Sequence, residues 1–331
     1  MRHSLGFESF EQIFGDVTDT ISEGLRGKLI AREGKKFVGG DLAQMEARVL
    51  AWLVDDDHKL EMYRNGIDVY SVLAASIYGY EVKKGMPERQ VGKVADLSLG
   101  YGGGIGAFAG MAKNYGLDLE TMGNLIWKTA TAMEKEEALT GYNRFKRTAE
   151  EPVSSVSGLG ADVVKQRWRL AHPKAVKFWS DLDEAVARAV ITKKAVRLEK
   201  LKFFVHDQFL FIMLPSGKCI AYLKPVVKTS GNGRFEISYV NSRYGRRSHW
   251  GGQWCENVVQ ATQREILVDC MFRLEDNGFD IVYHNYDECA SEVPLESDCE
   301  KEYGDIMRVC PVWAEGLPIN VETWQGVRYG K

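Results

Sequence analysis

Asp41 ends an apolar run that starts at Lys36, and a helix carrying Glu46 is expected to follow it directly. Far along the chain a second acidic pair, Asp287-Glu288, closes another strand-like run from Phe279 to Tyr286. Between them Arg89, Lys93, Leu97 and Tyr101 recur every fourth residue, which keeps them on one broad face of a helix. Carboxylates suit magnesium, a hard cation that prefers oxygen. An arginine grips phosphate oxygens as a fork, and a lysine adds a point charge beside it. These residue types fit nucleotidyl transfer, in which two divalent ions about 3.5–4 Å apart stabilise the attacking and leaving oxygens.

That chemistry makes demands on the fold. If the strands ending in Asp41 and Asp287 are antiparallel neighbours, their side chains come to about 5 Å apart. Two carboxylates so close repel, and a bound metal removes that penalty. Each motif also has an ordinary reading. Asp41 with Gln44 fits a helix capping box, Asp287-Glu288 fits a hairpin turn, and a two-cation stripe fits a solvated helix face.

Periodicity supplies the elements. The spacing predicts helices over Gln44–Val54, Asp118–Glu136, Ala161–Leu170, Pro173–Ile191 and Trp254–Asp276, with Glu150–Gly160 as a loop. Pro87 and Glu88 suit the first turn of the helix that carries Arg89. Period-two runs at Lys202–Met213, Lys218–Leu223 and Arg234–Val240 read as strands, and Phe279–Pro294 as a hairpin. Phe7, Phe10, Ile13, Phe14, Val17, Ile21 and Leu25 have helical spacing. Glycines at 100, 102, 103, 104 and 106 leave a helix rather than a strand, without a phosphate-loop pattern, and read as helix termination and a hinge.

With 331 residues, 45% of them hydrophobic, the chain can bury a sizeable core. Its net charge is -3, so a nucleic-acid surface has to be local. Candidate clusters are Lys165, Arg167 and Arg169, then Lys193, Lys194, Arg197, Lys200 and Lys202, then Arg243, Arg246 and Arg247. Six cysteines lie in the second half without zinc-type spacing and are expected to be reduced. The amino terminus has no continuous apolar stretch, so a cytoplasmic protein without a membrane span is expected.

These residues resemble the three polymerase motifs of family A DNA polymerases, particularly the phage-type branch. Asp41-Leu42-Ala43-Gln44-Met45-Glu46-Ala47-Arg48 resembles the first, Arg89 with Lys93 and Tyr101-Gly102 the second, and Asp287-Glu288 the third. The stretch from Trp250 to Ala261 is similar to the segment before the third motif in that branch. The resemblance implies an α+β fold: a right-hand palm, made of an antiparallel sheet with helices, and a mostly helical fingers subdomain. It implies palm at 1–55 and 250–331, with fingers and a β-hairpin elaboration at 56–249.

It further implies a template-directed DNA polymerase that adds deoxynucleoside triphosphates to the 3′ end of a primer-template DNA with two Mg2+ ions. Asp41, Asp287 and the Leu42 carbonyl would hold the metals, with Glu288 in support. Arg89 and Lys93 would hold the triphosphate, Lys93 also protonating the pyrophosphate. Gln44, Leu97 and Tyr101 would complete the nucleotide site, and Glu46 would fill the space a ribose 2′-hydroxyl needs. Gln260, Asn257, Tyr286 and Arg48 would contact DNA.

The chain departs from the family in three ways. Leu97 stands where Phe or Tyr is usual, Tyr286 replaces His before the third-motif aspartate, and only about forty residues precede Asp41. Thumb and exonuclease are therefore expected to be absent and to come from a second polypeptide. Alternatives are a two-metal nuclease, which the acids alone fit, a single-subunit RNA polymerase, which shares similar motifs, and a DNA-binding accessory protein or inactive remnant that lacks a thumb to hold a primer.

Overall fold

The computed structural model describes residues 24, 27–229, 231 and 235–330. The apolar spacing from Phe7 to Leu25 and Arg234, the expected start of a strand, lie outside the described residues. In chain order the first half runs β1 (Lys35–Leu42), α1 (Met45–Leu53), α2 (Asp57–Arg64), α3 (Val69–Tyr78), α4 (Glu88–Leu99), α5 (Ile105–Asn114), α6 (Leu119–Thr129), α7 (Ala132–Thr148), α8 (Ser155–Ala171) and α9 (Pro173–Thr192). There follow β2 (Val196–Leu198), β3 (Leu201–His206), β4 (Phe209–Met213), β5 (Cys219–Thr229), β6 (Phe235–Asn241), β7 (Gly245–His249), α10 (Gly251–Asp276), β8 (Ile281–Asn285), β9 (Glu288–Pro294), α11 (Glu300–Met307) and β10 (Val321–Gly326). Among the described residues no helix is long and apolar enough to cross a membrane.

Two units emerge. The first gathers residues up to Met45, Arg264–Pro311 and Ile319 onward; the second holds Glu46–Gln263 with Val312–Pro318. The first unit is an antiparallel sheet in the order β10-β1-β9-β8. Alternation along β1 sends Val38, Gly40 and Leu42 to one face, with Val38 and Leu42 fully buried. A β-carbon at Gly40 would stand 2.4 Å from the Met307 sulfur, so α11 packs on a strand that only glycine lets approach. The other face buries Phe37, Ala290, Trp324 and Tyr329 as an aromatic cluster.

The second unit is a helical body, α1 to α9, with a six-stranded antiparallel sheet ordered β2 to β7. Side-chain caps fix several helix starts: Asp118 accepts from the backbone of Glu120 and Thr121, and Thr131 and Glu134 form a reciprocal capping box. That box also splits the stretch expected as one helix over Asp118–Glu136 into α6 and α7.

The stretch Glu150–Gly160, read as a loop, is helical from Ser155 onward. Its glycines serve packing instead. A β-carbon at Gly160 would meet the Gly123 Cα at 2.5 Å, so the pair lets α8 and α6 touch backbone to backbone. The run Lys202–Met213 is not one strand but the hairpin β3–β4, turning at Asp207, whose φ is 50°. The strand β7 escaped the sequence pattern because Arg246-Arg247-Ser248 offers no apolar alternation.

Candidate functional site

In the first unit the acids are placed by backbone. β1 pairs with β9, which sets Asp41 directly opposite Glu288, and with β10, which sets Asp41 opposite Glu322. Asp287 lies in the two-residue turn from β8 to β9, not at a strand end, and its carbonyl accepts the Leu42 N–H at 2.9 Å. The two aspartates thus adjoin at one end of the sheet. Asp41 is part of β1, and the helix after it starts at Met45, so the capping-box reading of Asp41 with Gln44 does not hold.

Both turns around these acids carry a non-glycine residue in the left-handed region. Gln44 has φ 54° and Tyr286 has φ 52°. Such conformations cost on the order of 1 kcal/mol each and gather at functional sites. Tyr286 is 53% exposed at its turn, while Glu288 is buried. Among the described residues no group of three or more His, Cys, Asp or Glu side chains is gathered as a metal site. The oxygens that the strand pairing brings to this sheet end, those of Asp41, Asp287 and the Leu42 carbonyl, are hard donors of the kind magnesium prefers.

In the second unit α4 shows the expected face. Val91, Val94, Ala95 and Leu99 are buried, whereas Arg89 and Lys93 are half-buried and Leu97 is 39% exposed. The guanidinium of Arg89 is already engaged. It donates to both carboxylate oxygens of Asp68, at 2.5 and 3.0 Å, and lies 5.3 Å over the Tyr70 ring. Burial would raise the Asp68 carboxyl, but the bonds from Arg89 and Ser71 hold it below its usual range. Lys93 places its ammonium 4.9 Å over the Tyr115 ring.

At the end of α4, Tyr101 donates its hydroxyl to Glu46 Oε2 at 2.5 Å. Burial pushes the Glu46 carboxyl up; Glu256 adds to this, while bonds from Tyr101 and Gln260 oppose it. Three residues singled out from separate motifs, Glu46, Tyr101 and Gln260, therefore form one cluster. Gly252 makes room for it: a β-carbon there would come within 2.1 Å of the Tyr101 carbonyl oxygen. The glycines after α4 end the helix and admit aromatic packing. Trp179 donates to the Gly100 carbonyl at 3.1 Å, and the Trp250 ring fills the space a β-carbon of Gly102 would need.

Two residues expected on DNA are occupied internally. Arg48 is 5% exposed, stacks 4.2 Å over Tyr63 and donates to the Pro318 carbonyl. Asn257 donates to the Tyr222 hydroxyl at 2.8 Å, inside an aromatic group with His249 and Trp254. The sequence reading missed Asp68, Tyr115, Glu256 and Glu322. Asp68 had a signal: Asp68 with Ser71 at the start of α3 is a helix-entry pattern, and Ser71 does bond to it at 2.7 Å.

No family model matches the chain. The DNA polymerase of Bacillus phage SP02 is 32% identical over 326 residues, 96% of this chain and 44% of that protein. The DNA polymerase I of Aquifex aeolicus is 32% identical over 127 residues, 34% of this chain and 22% of its own length. Among solved structures, the POL domain of Pol1 from M. smegmatis, in complex with DNA primer-template and dNTP, superposes with a TM-score of 0.50 at 14% identity, over 92% of this chain and 42% of that one. The fold is therefore that of a polymerase domain, and the chain spans less than half the length of these relatives.

Proposed function

We propose that this chain, a relative of the family A DNA polymerases in sequence and fold, adds deoxynucleotides to a primer 3′ end under template direction. The sheet of the first unit serves as palm and the helical body of the second as fingers, acting in the cytoplasm. The carrying observation is that β1 and the β8–β9 turn, tied by the bond from Leu42 N–H to the Asp287 carbonyl, bring two distant aspartates to one sheet end.

Asp41, Asp287 and the Leu42 carbonyl are the groups to hold Mg2+, which when bound lowers the pKa of the attacking hydroxyl and stabilises charge on the phosphate. The protein's own groups do the rest. Arg89 exchanges Asp68 for phosphate oxygens, and Lys93 supplies a second charge and a proton for the departing pyrophosphate. Glu46, pinned by Tyr101, occupies the volume a ribose 2′-hydroxyl would need. A second polypeptide that supplies thumb and exonuclease functions is part of the same proposal.

The test is primer extension by the purified chain, with and without such a polypeptide, using labelled primer-template, magnesium and either deoxy- or ribonucleotides. Lengthening with deoxynucleotides that Asp41→Asn abolishes supports the reading. Shortening of the primer, or a stable DNA complex with no product under either condition, refutes it.

A further inference from the structure

The six-stranded sheet of the second unit has two unlike faces. On one, Leu201, Phe203, Leu210 and Ile212 are buried, and α9 packs against β2, β3, β5 and β6. The other face follows from the register: Phe204 pairs with Phe211, Lys202 with Met213 and Arg197 with Lys202. Its centre is aromatic. The Phe204 and Phe211 rings stack at 5.3 Å and 18°, the Phe209 ring lies 6.0 Å from Phe211, and Phe209 is 37% exposed.

Cations surround these rings. The Lys202 ammonium stands 5.6 Å over Phe204, with Arg197 directly opposite Lys202 on the edge strand. Like charges facing each other across strands are unfavourable, and a polyanion relieves them. On the far strands, Arg246 is laid on the same face by its bond to Ser238 Oγ, and Lys228 lies opposite Glu236, the one acid among the described strand residues of this face. None of these four cations is in an ion pair among the described residues. Six strands at about 4.8 Å spacing make the platform about 24 Å wide.

We infer that this face binds single-stranded nucleic acid, with bases stacking on the phenylalanine row and phosphates on Lys202, Arg197, Arg246 and Lys228. Partly exposed rings beside cations that form no ion pair among the described residues match unstacked bases on a charged backbone. A duplex buries its base faces and cannot use the rings, and the centre of a protein interface is depleted in lysine. The inference deepens the polymerase reading, because the unpaired template is the strand such a platform would carry.

The test is fluorescence anisotropy of labelled oligothymidylate, oligouridylate and a duplex of equal length, titrated with the full chain without nucleotide. Both single strands bind, and Phe211→Ala and Phe209→Ala each weaken them about tenfold while leaving duplex binding unchanged. Lys202→Gln lowers the slope of log affinity against log salt by about 0.7. Circular dichroism and melting confirm that each variant folds, as substitutions on an open face should. Folded phenylalanine variants that hold oligothymidylate like the parent overturn the inference. So does loss of self-association, or of binding to a protein partner, without loss of oligonucleotide. Phenylalanine-dependent binding with no primer extension would refute the polymerase reading and leave this one standing; extension without such binding does the reverse.

Discussion

The acids of the first unit and the cations of the second are held by different means. Asp41 and Asp287 are fixed by ladder register and a main-chain hydrogen bond, which no side-chain rotation can undo. Arg89 and Lys93 are held through their own side chains, by Asp68 and the Tyr115 ring, and such contacts exchange for a ligand. In the proposed function the acids would need fixed separation to hold a metal, whereas the cations would have to grip and release a triphosphate and so would need an alternative partner in its absence. The difference in anchoring matches that proposed difference in task.

The sharpest break would come from the acids. Asp41→Asn and Asp287→Asn each lower extension by at least about 100-fold, since a rigid frame cannot compensate for a lost oxygen charge. Single-turnover extension checks this, and an intact rate in either variant removes that residue from the site. At the cation helix, opposite signs are expected. Arg89→Ala raises the KM for nucleotide about tenfold, while Asp68→Asn lowers it several-fold by freeing the guanidinium. If both variants weaken nucleotide binding alike, Asp68 is a structural partner and not a competitor.

A smaller effect is expected at the buried cluster. Glu46→Ala admits ribonucleotides about tenfold better, read as the ratio of kcat/KM for the two sugars. Unchanged discrimination would detach Glu46 from the sugar. A further effect is on stability rather than activity and concerns a third group in the second unit, where Lys59 donates to Asp96 at 2.7 Å beside His172. Burial, reinforced by the Lys59 charge, depresses the His172 pKa to about 4. Between pH 6.5 and about 4 the unfolded chain takes up a proton that the folded chain refuses, so stability falls as pH drops, by about 3 kcal/mol at most. Melting curves of His172→Gln should show a flatter acid limb, and parallel limbs would reject the assignment.

Sequence pattern was informative where backbone periodicity and chemistry coincide. β1, the β8–β9 hairpin and the exposed face of α4 could be read because alternation and four-residue spacing carry Asp41, Asp287, Arg89 and Lys93 with them. Pattern failed where one residue type serves two ends. Gly158 and Gly160 look like loop residues yet sit inside α8, since small size at a helix crossing and freedom in a turn have the same letter. The partners of site residues were illegible for another reason. Asp68 meets Arg89 from a different helix, and Glu322 meets Asp41 from a strand near the carboxyl end, so only the tertiary fold pairs them.

In the proposed function the two-pronged hold of Asp68 on Arg89 would act as a filter. Any newcomer competes with a carboxylate that already offers two short bonds, so a lone inorganic anion gains little by entering. A chain of three phosphates that reached Lys93 as well would bring more than it displaced. Discrimination by valence would then precede any inspection of base or sugar.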